Sequence, residues 1–217
     1  MPALLRKALA EFIGTGVFLT AIVGVNAVAT PTVLATAVLA TALGLMVLLT
    51  STTSGGHLNP AVTLFFAARR QISWGDAGAY IVAQILGGIA GSWLGGALHG
   101  FSYFTPNNKG LVTGEFLSEV VATAGLVWLI GNLAARDRGN IIPLVVGLWV
   151  FSAANFTASG ASANPAVTIG RMFTPIAGIG VSQGLYWIVA EVIGVLIAIL
   201  ALNYVTPLTV KKKKAKK

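Results

Sequence analysis

Gly55-Gly56-His57-Leu58-Asn59-Pro60-Ala61-Val62-Thr63 returns 105 residues later as Gly160-Ala161-Ser162-Ala163-Asn164-Pro165-Ala166-Val167-Thr168. The shared core is Asn-Pro-Ala-Val-Thr. Asn is a preferred N-cap, because its side-chain oxygen accepts a bond from an unpaired amide of the first turn. Pro suits the first helical position, where no N–H is needed. Each copy therefore predicts a helix start. The apolar segments that begin there, 59–68 and 164–172, are short. At ~1.5 Å per residue each reaches only about half of a hydrocarbon core ~30 Å thick. Such pieces read as re-entrant half-helices, tolerated at membrane depth only where protein or a water-filled cavity surrounds them.

The remainder of the chain supplies the membrane. Hydrophobic residues make up 56% and charged ones 9% of 217 residues, against about 25% charged in soluble domains. Mean hydropathy is +0.84. A soluble surface cannot be covered with so little charge, which excludes a soluble enzyme, a nucleic-acid binder and a disordered chain. Six apolar stretches have spanning length, at about 8–28, 33–53, 77–98, 114–134, 141–158 and 181–205. The first reads as a retained span, since no small-residue cleavage pattern follows it. Cysteine is absent, so neither a disulfide nor a thiolate site is available. The net charge of +8 is concentrated at the end, where six of the fourteen basic residues fall in 211–217. That run reads as a polybasic cytoplasmic tail.

Lys and Arg in the short loops set the orientation. With the N-terminus inside, Arg6, Lys7, Arg69, Arg70, Arg136, Arg138 and the six tail lysines all fall on the cytoplasmic side, and only Lys109 and Arg171 fall outside. Both termini are then cytoplasmic. The halves match beyond the Asn-Pro-Ala blocks. Glu11 pairs with Glu119, Thr15 with Thr123, and Ala83-Gln84 with Ala190-Glu191. Three spans per half make the second half enter from the opposite face, so the repeat, about 1–105 and 106–210, is inverted. The fold class is an all-α membrane protein of six transmembrane helices and two half-helices.

This geometry brings Asn59, Pro60 and Ala61 to the midplane opposite Asn164, Pro165 and Ala166. Each Asn caps its own helix through oxygen, and its NH2 group is expected to stay free for the lumen. Two helix N-termini meeting there oppose a cation.

On these blocks, with Ala10-Glu11-Phe12 and Tyr80 beside Ala83-Gln84, the chain resembles the major intrinsic protein family, the aquaporins and glycerol facilitators. The resemblance covers essentially the whole chain. It implies one channel domain over 1–210, in a homotetramer with one pore per subunit, in the plasma membrane, passing water or small neutral solutes passively. No cofactor is implied. A secondary transporter on an inverted repeat is the competing class, but it would carry coupling charge at the midplane, where this chain has only Asn.

The departure from the family lies at Val167, where the family usually has Arg. Gapless counting from the two asparagines places the other filter positions on Leu39, Ser152 and Ala161, all uncharged, which predicts a wider and less polar filter than that of a strict water channel. The flanking signature, Thr168 and Tyr186-Trp187, leans instead towards the water branch. His57, two residues before Asn59, is placed by the resemblance at the inner vestibule, with a packing role as the alternative. Glu11 and Glu119 read as structural acceptors for irregular backbone beside the half-helices, and Glu191 likewise. Glu191 is also the best single candidate for pH sensitivity. Arg171, four residues beyond Val167 and one turn along the half-helix, has two readings: a source of positive charge near the outer mouth and, favoured, a snorkelling interfacial residue. Four-residue glycine spacing at Gly87, Gly91 and Gly95 predicts close helix approach. No catalytic constellation or metal-ligand spacing appears.

Overall fold

A computed structural model describes residues 1–101 and 112–205. Eight α-helices are present among them: α1 (Ala3–Ala27), α2 (Thr32–Ser51), α3 (Pro60–Ala68), α4 (Trp74–Leu98), α5 (Thr113–Ala135), α6 (Ile142–Phe156), α7 (Pro165–Arg171) and α8 (Val181–Tyr204). A 3-10 turn, Gly139–Ile141, leads into α6. Six of the helices are long and apolar enough to cross a membrane. The half-helices α3 and α7 have 9 and 7 residues. The polybasic run 211–217 and the loop carrying Lys109 lie outside the described residues.

Helix α1 starts at Ala3, ahead of the apolar stretch, because Pro2 stands at its N-cap and Arg6 and Lys7 extend the helix from its polar end. The long helices are apolar all round and turn their few polar groups inward. On α1, Leu5, Leu9, Ile13 and Val17 are exposed, while Glu11 and Thr15 are fully buried. This is the arrangement that lipid as solvent demands.

Packing between α1 and α4 follows the glycine spacing. A Cβ added at Gly91 would lie 2.1 Å from the Gly16 carbonyl oxygen, and one at Gly87 would lie 2.2 Å from that of Phe12. The obstacles are backbone atoms, which no side-chain rotation can clear. Gly91→Leu is therefore expected to abolish the yield of monodisperse protein in detergent. Gly78→Leu on the same helix, where nothing lies within 4 Å of the added Cβ, should leave the yield unchanged. Equal yields of the two variants would show that α1 and α4 do not pack backbone to backbone at Gly91.

Candidate pore

The half-helices are held tip to tip by their caps. Asn59 Oδ1 accepts from the Ala61 amide at 2.8 Å, and Asn164 Oδ1 from the Ala166 amide at 3.0 Å. The side-chain amides, expected from the sequence to be free, are both engaged. Asn59 Nδ2 donates to the Ala163 carbonyl at 2.7 Å, and Asn164 Nδ2 donates to the Leu58 carbonyl at 2.8 Å. Each asparagine thus ties its own half to the residue preceding the other asparagine. One N–H of each amide is used in this exchange and one remains.

The crossed bonds require unusual backbone. Leu58 and Ala163 adopt φ of 49° and 46°, and Gly56 and Ala161 adopt 64° and 53°. Left-handed non-glycine residues cost of order 1–3 kcal/mol each and persist only where their surroundings over-determine them. Buried carboxylates supply that support. Glu11 accepts from the His57 amide at 3.0 Å, the Leu58 amide at 2.6 Å and Gln84 Nε2 at 2.7 Å, and also from Ser54 Oγ. Glu119 accepts from the Ser162 and Ala163 amides at 2.9 and 2.7 Å. Glu191 takes the place of Gln84 beside the equivalent threonine, with the hydrogen-bond role towards it reversed. Gln84 donates to Glu11 and to Thr63 Oγ1, whereas Glu191 accepts from the Asn164 amide at 3.0 Å and from Thr168 Oγ1 at 2.8 Å.

Two cavities meet at the asparagines. The larger, of about 280 Å³, is lined by Leu39, Ala161 and Val167, together with Phe18, Leu43, Leu126, Val150, Ala154 and Arg171. The smaller, of about 50 Å³, contains His57 and Phe66. Asn59, Asn164, Leu43 and Leu126 line both. The His57 ring stacks on Phe66 with centroids 4.7 Å apart, and its Nδ1 lies 3.1 Å from Thr63 Oγ1. Pro60, Ala61, Pro165 and Ala166 are buried in the first turns of α3 and α7.

Two expectations need correction here. Ser152 is exposed, its hydroxyl donates to the Leu148 carbonyl of its own helix, and it lines neither cavity. Two residues along a helix is a rotation of about 200°, so Ser152 lies on the face opposite Val150. Val150 and Ala154, one turn apart, hold the α6 side of the larger cavity. Arg171 does not snorkel outward. It lines the larger cavity, with Nε donating to the Ala177 carbonyl at 2.7 Å and Nη1 donating to Ser162 Oγ at 3.2 Å.

Phe18 and Leu126 were overlooked, although a signal existed. Each lies seven residues past its glutamate, Glu11 or Glu119, so the repeat already paired them.

Six spanning helices around two cavities that join at a pair of helix tips define a membrane channel. The family model described as major intrinsic protein matches residues 1–158. The chain is 36% identical over 212 residues to the aquaglyceroporin AqpS of Rhizobium meliloti (strain 1021), covering 93% of this chain and 90% of that protein. It is 35% identical to the aquaporin TIP1-2 of Zea mays, covering 86% and 81% of the two chains. The aquaglyceroporin structure from Plasmodium falciparum shares the fold with a TM-score of 0.74 at 22% identity, covering 93% of this chain and 96% of that one. The chain belongs to the major intrinsic protein family and is an integral membrane protein.

Proposed function

We propose that this chain is a passive channel for water and small uncharged solutes, with a constriction wider and less polar than that of an Arg-bearing relative. One observation carries the reading. Val167, apolar and 2% exposed, lines the larger cavity where the family pattern has a guanidinium, and Leu39, Val150 and Ala161 line it too. An apolar constriction favours solutes with carbon surface, and the loss of a bulky cation there widens the passage.

The midplane does a different task. A water between Asn59 and Asn164 accepts the remaining N–H of each amide and turns its own hydrogens away, so a continuous proton-conducting chain is interrupted. Both half-helices begin at that point, and their N-terminal partial positive charge opposes cations. His57 completes the wall on the other side. Glu11 and Glu119 hold the backbone: each accepts from the two consecutive amides that precede its asparagine.

We read the chain as one channel domain over 1–210 built from the repeats 1–105 and 106–210. It works as a homotetramer in the plasma membrane, with lipid around it. The distribution of Lys and Arg supports cytoplasmic termini, with the larger cavity facing outward.

Stopped-flow measurements on proteoliposomes test the channel. Water and at least one of glycerol and urea should equilibrate faster than in empty vesicles. Flux should be downhill only. Accumulation of solute against its gradient, driven by sodium or protons, would show a coupled transporter instead.

A further inference from the structure

The guanidinium missing at Val167 has a counterpart one helical turn away. Arg171 ends α7, four residues beyond Val167, and lines the same cavity. Its position is determined from three sides. The Ala177 carbonyl holds Nε, Ser162 Oγ holds Nη1, and the guanidinium carbon stands 5.3 Å from the centroid of the Trp187 ring. Trp187 is itself fixed, 1% exposed, with its indole N–H donating to Glu115 at 3.2 Å. A guanidinium stacked on an aromatic face and hydrogen-bonded at two nitrogens is a fixed charge rather than a mobile surface one.

Which member of this charged cluster a solute touches follows from what else lines the cavity. Glu115, Glu119 and Glu191 are the carboxylates close enough to interact with Arg171. None of them lines the cavity, and among its described lining residues Arg171 is the one charged side chain. Glu119 and Glu191 are fully buried, with oxygens accepting bonds from the backbone around Asn164. The passage therefore meets the positive partner of this group, and the negative partners stay behind the wall.

We infer that Arg171 is the charge-selecting residue of the larger cavity, rejecting small cations and donating hydrogen bonds to solute hydroxyl or carbonyl oxygens, while Val167 selects for size and apolar surface. The family pattern joins both tasks in one Arg; this chain divides them between two residues a turn apart. The division lets an apolar solute pass the constriction without admitting cations. The inference rests on the reading of the larger cavity as part of the conduction path.

The test uses the full chain in proteoliposomes, with urea and guanidinium as a neutral and a cationic solute of nearly the same shape, and water as reference. Wild type should pass water and urea and reject guanidinium. In Arg171→Gln, which keeps donors and removes charge, the ratio of guanidinium to water permeability should rise about tenfold, since a fixed charge beside a narrow low-dielectric path acts as a local barrier. In Arg171→Lys, which keeps the charge, the ratio should stay within about twofold of wild type on the same argument. An unchanged ratio in Arg171→Gln, or an equal rise in both variants, would overturn the assignment. Should Arg171→Gln not fold, the wild-type comparison still decides: guanidinium passing as fast as urea refutes a charge barrier. Wild type that passes neither water nor urea refutes the channel reading itself, which is a separate outcome.

Discussion

Val167→Arg will lower the permeability to glycerol relative to water by about tenfold or more, within the range that a narrow apolar pocket achieves for small differences in solute size. The reason is local. Val167 is 2% exposed and lines the same cavity as Leu39 and Ala161, and its amide already donates to Asn164 Oδ1 at 3.4 Å. A longer side chain at this position has no room behind it and must project into the passage. It would narrow the constriction and replace apolar surface with a fork of N–H donors. Water, small and satisfied by such donors, is retarded less than a three-carbon solute that needs both clearance and apolar contact. The measurement is the glycerol-to-water permeability ratio of wild type and variant at matched protein density. An unchanged ratio would show that Val167 is not at the narrowest point.

Glu11→Ala will cost the folded state several kcal/mol. Four donors point at this carboxylate: the His57 and Leu58 amides, Gln84 Nε2 and Ser54 Oγ. Each donor left buried without an acceptor costs about 1–3 kcal/mol, though not additively. The same bonds stabilise the left-handed Leu58, whose carbonyl receives the Asn164 amide. Loss of Glu11 therefore releases the crossed bond at the midplane as well as the loop. For a chain of this size, ~1 kcal/mol corresponds to about 2–4 °C in Tm, so a fall of roughly 10 °C in detergent is expected on that scale. Glu11→Gln should recover only part of the loss, because its NH2 group faces one of the amides. A Tm within a degree or two of wild type for Glu11→Ala would show that the loop before α3 is held by other contacts.

These two residues differ in how they could be read. Glu11 was legible because a carboxylate in an apolar span requires partners, and the repeat with Glu119 pointed to backbone beside each half-helix. The number of spans, the two short helices and their Asn-Pro starts were legible for the same kind of reason. Hydropathy over about 20 residues, a capping side chain and a proline at the first turn act within a few residues of chain. They hold whatever the rest of the fold does.

Rotation was not legible. In lipid every outward face is apolar, and the inward faces of α6 and its neighbours are apolar too, so no amphipathic stripe records which side meets the cavity. Counting from Asn164 therefore selected Ser152, whereas packing of α6 turned Val150 and Ala154 inward. The fate of the second amide proton of each asparagine depended on a carbonyl about 105 positions away, at Ala163 or Leu58. The inward turn of Arg171 depended on how the flanking loops and the start of α8 fold back on it, bringing Ser162, Ala177 and Trp187 around its guanidinium. The sequence by itself determined a six-span inverted repeat with two capped half-helices, because each of those signals is local. Only the tertiary structure decided what lines the passage and where its positive charge stands, because those depend on helix rotation and on bonds between segments that the chain brings together only when folded.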